Sequence, residues 1–110
     1  VDIKLVEQDL LNHFYTRKNE RLMMPGWGCG IWEYLFEPID YVRENIIYEA
    51  QQVIASDPRV QLRSIEVKEM DQGIRIDMTL YYVPLNAIGN FAVDFDRRSR
   101  SLPIALMSRR

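Results

Sequence analysis

Between Arg17 and Asp40 the chain reads R-K-N-E-R-L-M-M-P-G-W-G-C-G-I-W-E-Y-L-F-E-P-I-D, and no regular element accommodates that order. Pro25, Gly26, Gly28 and Gly30 interrupt any helical or strand hydrogen-bond period. Yet Trp27, Cys29, Ile31, Trp32, Leu35 and Phe36 load the same stretch with large apolar groups. A solvated linker is polar, so an irregular and apolar segment is expected to fold down onto a body. Its glycines let the backbone turn where side chains would clash. Pro25, Gly26, Trp27, Gly28, Cys29 and Phe36 are therefore read as a structural loop, and the rest of the chain as the scaffold it covers.

The scaffold is small. A chain of 110 residues is one domain by size, and 47% hydrophobic residues are enough for a core. A net charge of −2 gives no general reason to expect a nucleic-acid partner. A single cysteine rules out an internal disulfide, and a single histidine rules out a multi-histidine metal site. No cofactor is expected. No run of about 18 apolar residues is present, so no membrane span is expected either. The composition fits a soluble intracellular protein, and the start at Val1 rather than Met leaves room for a short leader.

Along the chain, Ile3, Val6, Leu10 and Phe14 recur at steps of three and four and predict an amphipathic helix over 2–14. His13, near its end, reads as a surface or helix-terminal histidine. Glu37-Pro38 should stop the short turn that closes the loop, and Asp40 is the expected N-cap of a helix over 41–55. Its buried stripe is Val42, Ile46, Ala50, Val53 and Ile54. Ser56-Asp57-Pro58 ends it. In the strand-like run 60–70, Val60 and Leu62 share one parity and Ile65 and Val67 the other. A bulge, or a strand starting only near Arg63, would explain the slip. Asp71-Gln72-Gly73 reads as a hairpin connection. In 74–83, Ile76, Met78, Leu80 and Tyr82 face one way and Arg75, Asp77, Thr79 and Tyr81 the other. Residues 84–89 read as a loop, followed by a strand carrying Phe91, Val93 and Phe95. The fold class is α+β: a three- to four-stranded antiparallel meander covered by two amphipathic helices, with an extended C-terminal arm.

The division falls after residue 96. Residues 97–110 carry five arginines and no acidic residue, with Leu102, Ile104 and Leu106 alternating around Pro103. Such a segment is either a frayed tail or an arm that becomes a strand on a partner's sheet edge.

Catalytic chemistry is thinly represented. Glu33, Glu37, Asp40 and Asp57 are available for acid–base work, and Trp27 and Trp32 could line a sugar site. Carboxylate pairs at arbitrary spacing, however, occur in most soluble domains. Cys29 reads as a packed apolar residue rather than a nucleophile. G-W-G-C-G lacks the lysine of a phosphate loop. The remaining candidates are Asp57, Pro58 and Arg59. A rigid proline directly after a helix could hold the guanidinium outward to fork onto a partner carboxylate. Alternatively, Arg59 pairs internally with Asp57 or Asp40.

The run T-R-K-N-E-R-L-M-M-P-G-W-G-C-G-I-W-E-Y-L-F-E-P, followed by a helix ending in D-P-R, resembles the small baseplate wedge protein, or sheath initiator, of contractile-tailed phages. That family shows a G-E-R or G-S-R turn, a P-x-F-G-C loop, L-F-E and an E-P-R motif in this order. Type VI secretion and contractile injection systems share it. The resemblance spans about Leu5 to Phe95. It implies six copies around the tail tube, other wedge proteins and the tail sheath protein as partners, and a place in the virion after assembly in the host cytoplasm. It also implies that Asp57, Pro58 and Arg59 contact the wedge, and it involves neither catalysis nor cofactor. Asp57 stands where the family has glutamate and Asn19 where it usually has glycine; asparagine tolerates the same left-handed turn. The family has carried a lysozyme-like label, and a distant relative of the fold is an anti-adaptor of a bacterial stress regulator; both are remoter readings.

Overall fold

A strand with every second side chain buried sits at the centre of the computed structural model, which describes residues 3–17 and 28–97. This strand, β2 (Gly73–Tyr82), pairs antiparallel with β1 (Val60–Met70) on one side and β3 (Ala87–Asp96) on the other. Helix α1 (Ile3–Tyr15) and helix α2 (Ile39–Ala55) cover one face of the sheet. The fold is α+β, with three strands among the described residues. Leu102, Ile104 and Leu106 lie outside those residues, as do Pro25, Gly26, Trp27 and Asn19.

The alternation read from β2 holds: Ile76, Met78, Leu80 and Tyr82 are buried in the core. The slipped parity of β1 is a bulge at Arg63, because Leu62 pairs with Leu80 while Ser64 pairs with Thr79. The extra residue turns Ile65 and Val67 toward the same face as Val60 and Leu62. Arg63 itself lies over the Tyr81 ring on the opposite face, 4.8 Å from its centroid. That outer face is laced by Lys68 to Asp77 at 3.0 Å and Arg75 to Asp94 at 2.7 Å.

Two expectations need correction. Asp40 does not cap α2; the helix starts at Ile39, and Pro38 (ψ 131°) takes the flanking position. Proline supplies φ −59° there without a side-chain cap, leaving Asp40 in the first turn. Residues 84–89 are not a loop throughout. A 3-10 turn (Val83–Leu85) leads to Asn86 in the left-handed region at φ 50°, and β3 begins at once with Ala87. Asparagine is among the few residues that accept this geometry, so the reversal is tight.

The described part of the irregular segment folds onto the body. The Cys29 amide donates to the Thr16 carbonyl at 2.7 Å, forming a single parallel bridge with Arg17. A 3-10 helix (Gly30–Tyr34) then drives Ile31 and Trp32 into the core. The Trp32 indole N–H donates to the Phe14 carbonyl at 2.9 Å. Its ring meets Phe95 edge-on at 5.0 Å, and Phe95 also contacts Phe14 and Tyr15. Cys29 is buried, whereas Phe36 is 59% exposed, so the packing of the segment rests on Cys29, Ile31, Trp32 and Leu35.

Candidate functional site

The turn from α2 into β1 is built by its own side chains. Helix α2 ends at Ala55, where the Ser56 and Asp57 amides donate back to carbonyls of the last turn and Ser56 Oγ to Val53 at 2.6 Å. Pro58 is exposed at the apex. Asp57 Oδ1 accepts the Arg59 backbone N–H at 2.9 Å, closing the turn from within. The Arg59 carbonyl then accepts the Val83 N–H at 2.9 Å and seats the corner against the end of β2.

The guanidinium of Arg59 does not swing free. Its Nε donates to Asp57 Oδ1 at 2.9 Å and its Nη2 to Asp57 Oδ2 at 2.7 Å, a two-pronged pair. Nη2 also donates to Asp9 Oδ2 on α1 at 3.0 Å. Of the two internal partners expected, Asp57 is the one used; Asp40 lies near Arg43 instead, at 3.9 Å. Asp9 was not foreseen: nothing in the spacing along α1 marks it, and it is 50 residues away. The Arg59 hydrogen bonds hold the Asp57 carboxyl below the usual carboxylate range, against the upward pull of its own burial. The same carboxylates push the guanidinium further up. His13 faces Ser56, with Nδ1 and Oγ 3.4 Å apart, and closes one side of a shallow depression between α1 and the corner.

The other candidates spread out. Trp32 is buried against Phe95 and Arg17 and does not line a sugar site. Asp57 and Asp94 are both held low by neighbouring arginines. A glycosidase acid requires the opposite displacement. Among the described residues, no cluster of histidine, cysteine or carboxylates could hold a metal ion. No described helix is long and apolar enough to cross a membrane. Arg97, read from sequence as the first arm residue, is tied to the body. Its backbone N–H donates to Gln72 at 2.7 Å and its Nε to the Leu35 carbonyl.

Comparison with known proteins bears on the whole scaffold. The family model described as "Baseplate wedge protein gp25" matches residues 2–84, a span that holds both helices, β1, β2 and the corner. Among solved structures, a protein from Geobacter sulfurreducens, provisionally labelled a tail lysozyme, superposes with a TM-score of 0.69 at 24% identity. The match covers 83% of this chain and 90% of that one; at this identity it bears on the fold alone. No curated protein matches the chain.

Proposed function

The chain belongs to the baseplate wedge protein gp25 family, and on that premise we propose that it joins the wedge of a contractile tail to the first sheath ring and templates sheath assembly. The family's role is structural, in a phage tail baseplate and in association with other baseplate proteins. The observation that carries the finer reading is the Asp57–Pro58–Arg59 corner. It is rigid, exposed at its apex and stands outside the hydrophobic core.

In this reading the corner docks on the wedge. The segment around Cys29 and Trp32 holds α1, α2 and the sheet in one body behind it. The edge strands β1 and β3 receive strands from sheath subunits, and residues beyond Arg97, including Leu102, Ile104 and Leu106, reach a neighbour as an arm. The domain proper then ends near residue 96. Six copies around the tail tube turn modest single docks into a firm ring through effective concentration. The site of action is the virion, after assembly in the host cytoplasm. A baseplate of a type VI secretion or contractile injection system would use the same parts.

The reading involves no turnover. The burial of Trp32 supports this. The test mixes the purified full chain with the purified wedge proteins encoded beside it, then adds sheath protein. The expected result is a stable complex that shortens the lag of sheath polymerisation. Absence of a complex would overturn the reading, and cleavage of purified peptidoglycan by the same preparation would replace it with the enzymatic one.

A further inference from the structure

The outer face of α2 is aromatic as well as acidic. Tyr41, Glu44 and Tyr48 recur at steps of three and four, and all are exposed, the two tyrosines 80% and 57%. Exposed carboxylates precede them at Glu33, Glu37 and Asp40. Arg43 is the single basic residue between 28 and 56, and it serves the sheet, where its Nη1 donates to the Val67 carbonyl at 2.6 Å. The strip is therefore negative and carries large rings in water. We propose that residues 98–107 of the same chain lie along it. Arg98 and Arg100 meet its carboxylates, and Leu102, Ile104 and Leu106 cross its tyrosine rings.

The place where the described chain ends selects this occupant. Arg97 Nε donates to the Leu35 carbonyl, so the arm departs beside the segment that leads into the first turn of α2. Charge selects it too: residues 98–110 hold Arg98, Arg100, Arg109 and Arg110 and no acidic residue, the complement of the strip. The spacing also agrees. Tyr41 and Tyr48 are two turns apart, about 10 Å along the helix axis. Leu102, Ile104 and Leu106 cover about 13 Å when extended, and Pro103 keeps residue 102 out of the helical region. Arginines settle on exposed tyrosine rings, as Arg63 does on Tyr81. The edge of β3 offers the arm less at the point of departure, because the Tyr15 hydroxyl already donates to the Asp94 carbonyl at 3.1 Å. Tethering makes even a weak site well occupied. The contact stands apart from the docking role; given that role, it holds the arm on its own body until a neighbour's sheet edge competes for it.

Cys29 is buried, so Ser108→Cys in the full chain takes a spin label at one position. The measurement is the loss of backbone amide signal by NMR, relative to the same sample with the label reduced. Signals of Tyr41, Glu44 and Tyr48 should fall several-fold, while Thr79 on the opposite face of the sheet keeps its own. They should largely return in about 1 M salt and in a Glu37→Lys, Glu44→Lys variant. A Tyr41→Ala, Tyr48→Ala variant should restore them as well; alanine is the better helix former, and an unchanged Tm shows α2 intact. Losses that survive salt and charge reversal would overturn the pairing of arginines with carboxylates. Losses centred on Ile88, Asn90 and Ala92 would put the arm on the edge of β3 and overturn the inference. A slight, even loss over the whole surface would leave a frayed tail and overturn it too. The last arm mixes spin-labelled chain with isotope-labelled chain that carries no spin label. Equal losses in that mixture would move the arm onto a second copy and overturn its place on its own helix.

Discussion

Gly73 passes directly beneath the backbone of Phe95: a Cβ built on Gly73 would lie 1.8 Å from the Phe95 carbonyl oxygen. The obstacle is main chain, not a movable side chain, at the closed end of the β1–β2 hairpin where Gly73 pairs with Asp96. Gly73→Ala should therefore push β3 off β2 at this end and loosen Phe95 from its aromatic neighbours. A loss of about 3 kcal/mol or more is expected by denaturant titration. Alanine at Gly89, where the nearest atom is a Tyr82 ring carbon at 3.4 Å, should cost far less.

Glu49 of α2 reaches back to the irregular segment. Its Oε1 accepts the Gly30 N–H at 3.2 Å, and a Cβ on Gly30 would meet that carboxyl group at 2.7 Å. Gly30→Ala and Glu49→Ala should each cost about 1 kcal/mol. Since both remove the same contact, the double variant should lose clearly less than the sum. Additive losses in the thermodynamic cycle would show the two residues to be uncoupled.

Acid should loosen the corner. The Arg59 hydrogen bonds hold the Asp57 carboxyl low in the folded state. A lowered folded-state value means that the stabilisation is present above the unfolded carboxyl range and is lost as pH falls through the folded-state value. The unfolding temperature should thus drop below about pH 4. Asp57→Asn should flatten that acid limb and cost about 1–2 kcal/mol at neutral pH. An acid limb of undiminished steepness in Asp57→Asn would transfer the effect to Asp94, which Arg75 also holds low.

Alkali should act where the end of β2 meets α1. Tyr82 is 2% exposed, and burial, together with the adjacent Glu7 carboxylate, pushes its phenol up to about 12. A raised folded-state value contributes stability that is whole below the unfolded phenol value near 10 and is lost as pH rises toward 12. Thermal melts between neutral pH and the alkaline limit should therefore decline, and Tyr82→Phe should soften the decline. The Tyr82 hydroxyl donates to Glu7 at 3.1 Å, so phenylalanine should also lower neutral stability by about 1 kcal/mol.

The parts legible in the sequence are those where one residue's environment follows from its near neighbours. Alternation gave β2 its buried face, and the slip between Leu62 and Ile65 pointed to the bulge at Arg63. The start of α2 was missed because Asp40 is a common cap, whereas Pro38 already holds the flanking backbone geometry. The beginning of β3 was hidden by Ala87 and Gly89, which are poor strand formers paired here because β2 supplies the ladder. Within the corner, Asp57 and Arg59 are two apart and could be paired on paper. Asp9 could not, since only the packing of α1 beside α2 brings it within 3.0 Å of the guanidinium.

Cys29 is 1% exposed and sits at the bridge that fastens the irregular segment to the end of α1. A thiol so enclosed reacts with a soluble disulfide reagent only when that bridge parts. The labelling rate of native protein is therefore a clock for the opening of this segment. Read with and without bound wedge proteins, it would tell whether docking at a corner on the far end of α2 tightens the seam that joins the helices to the sheet.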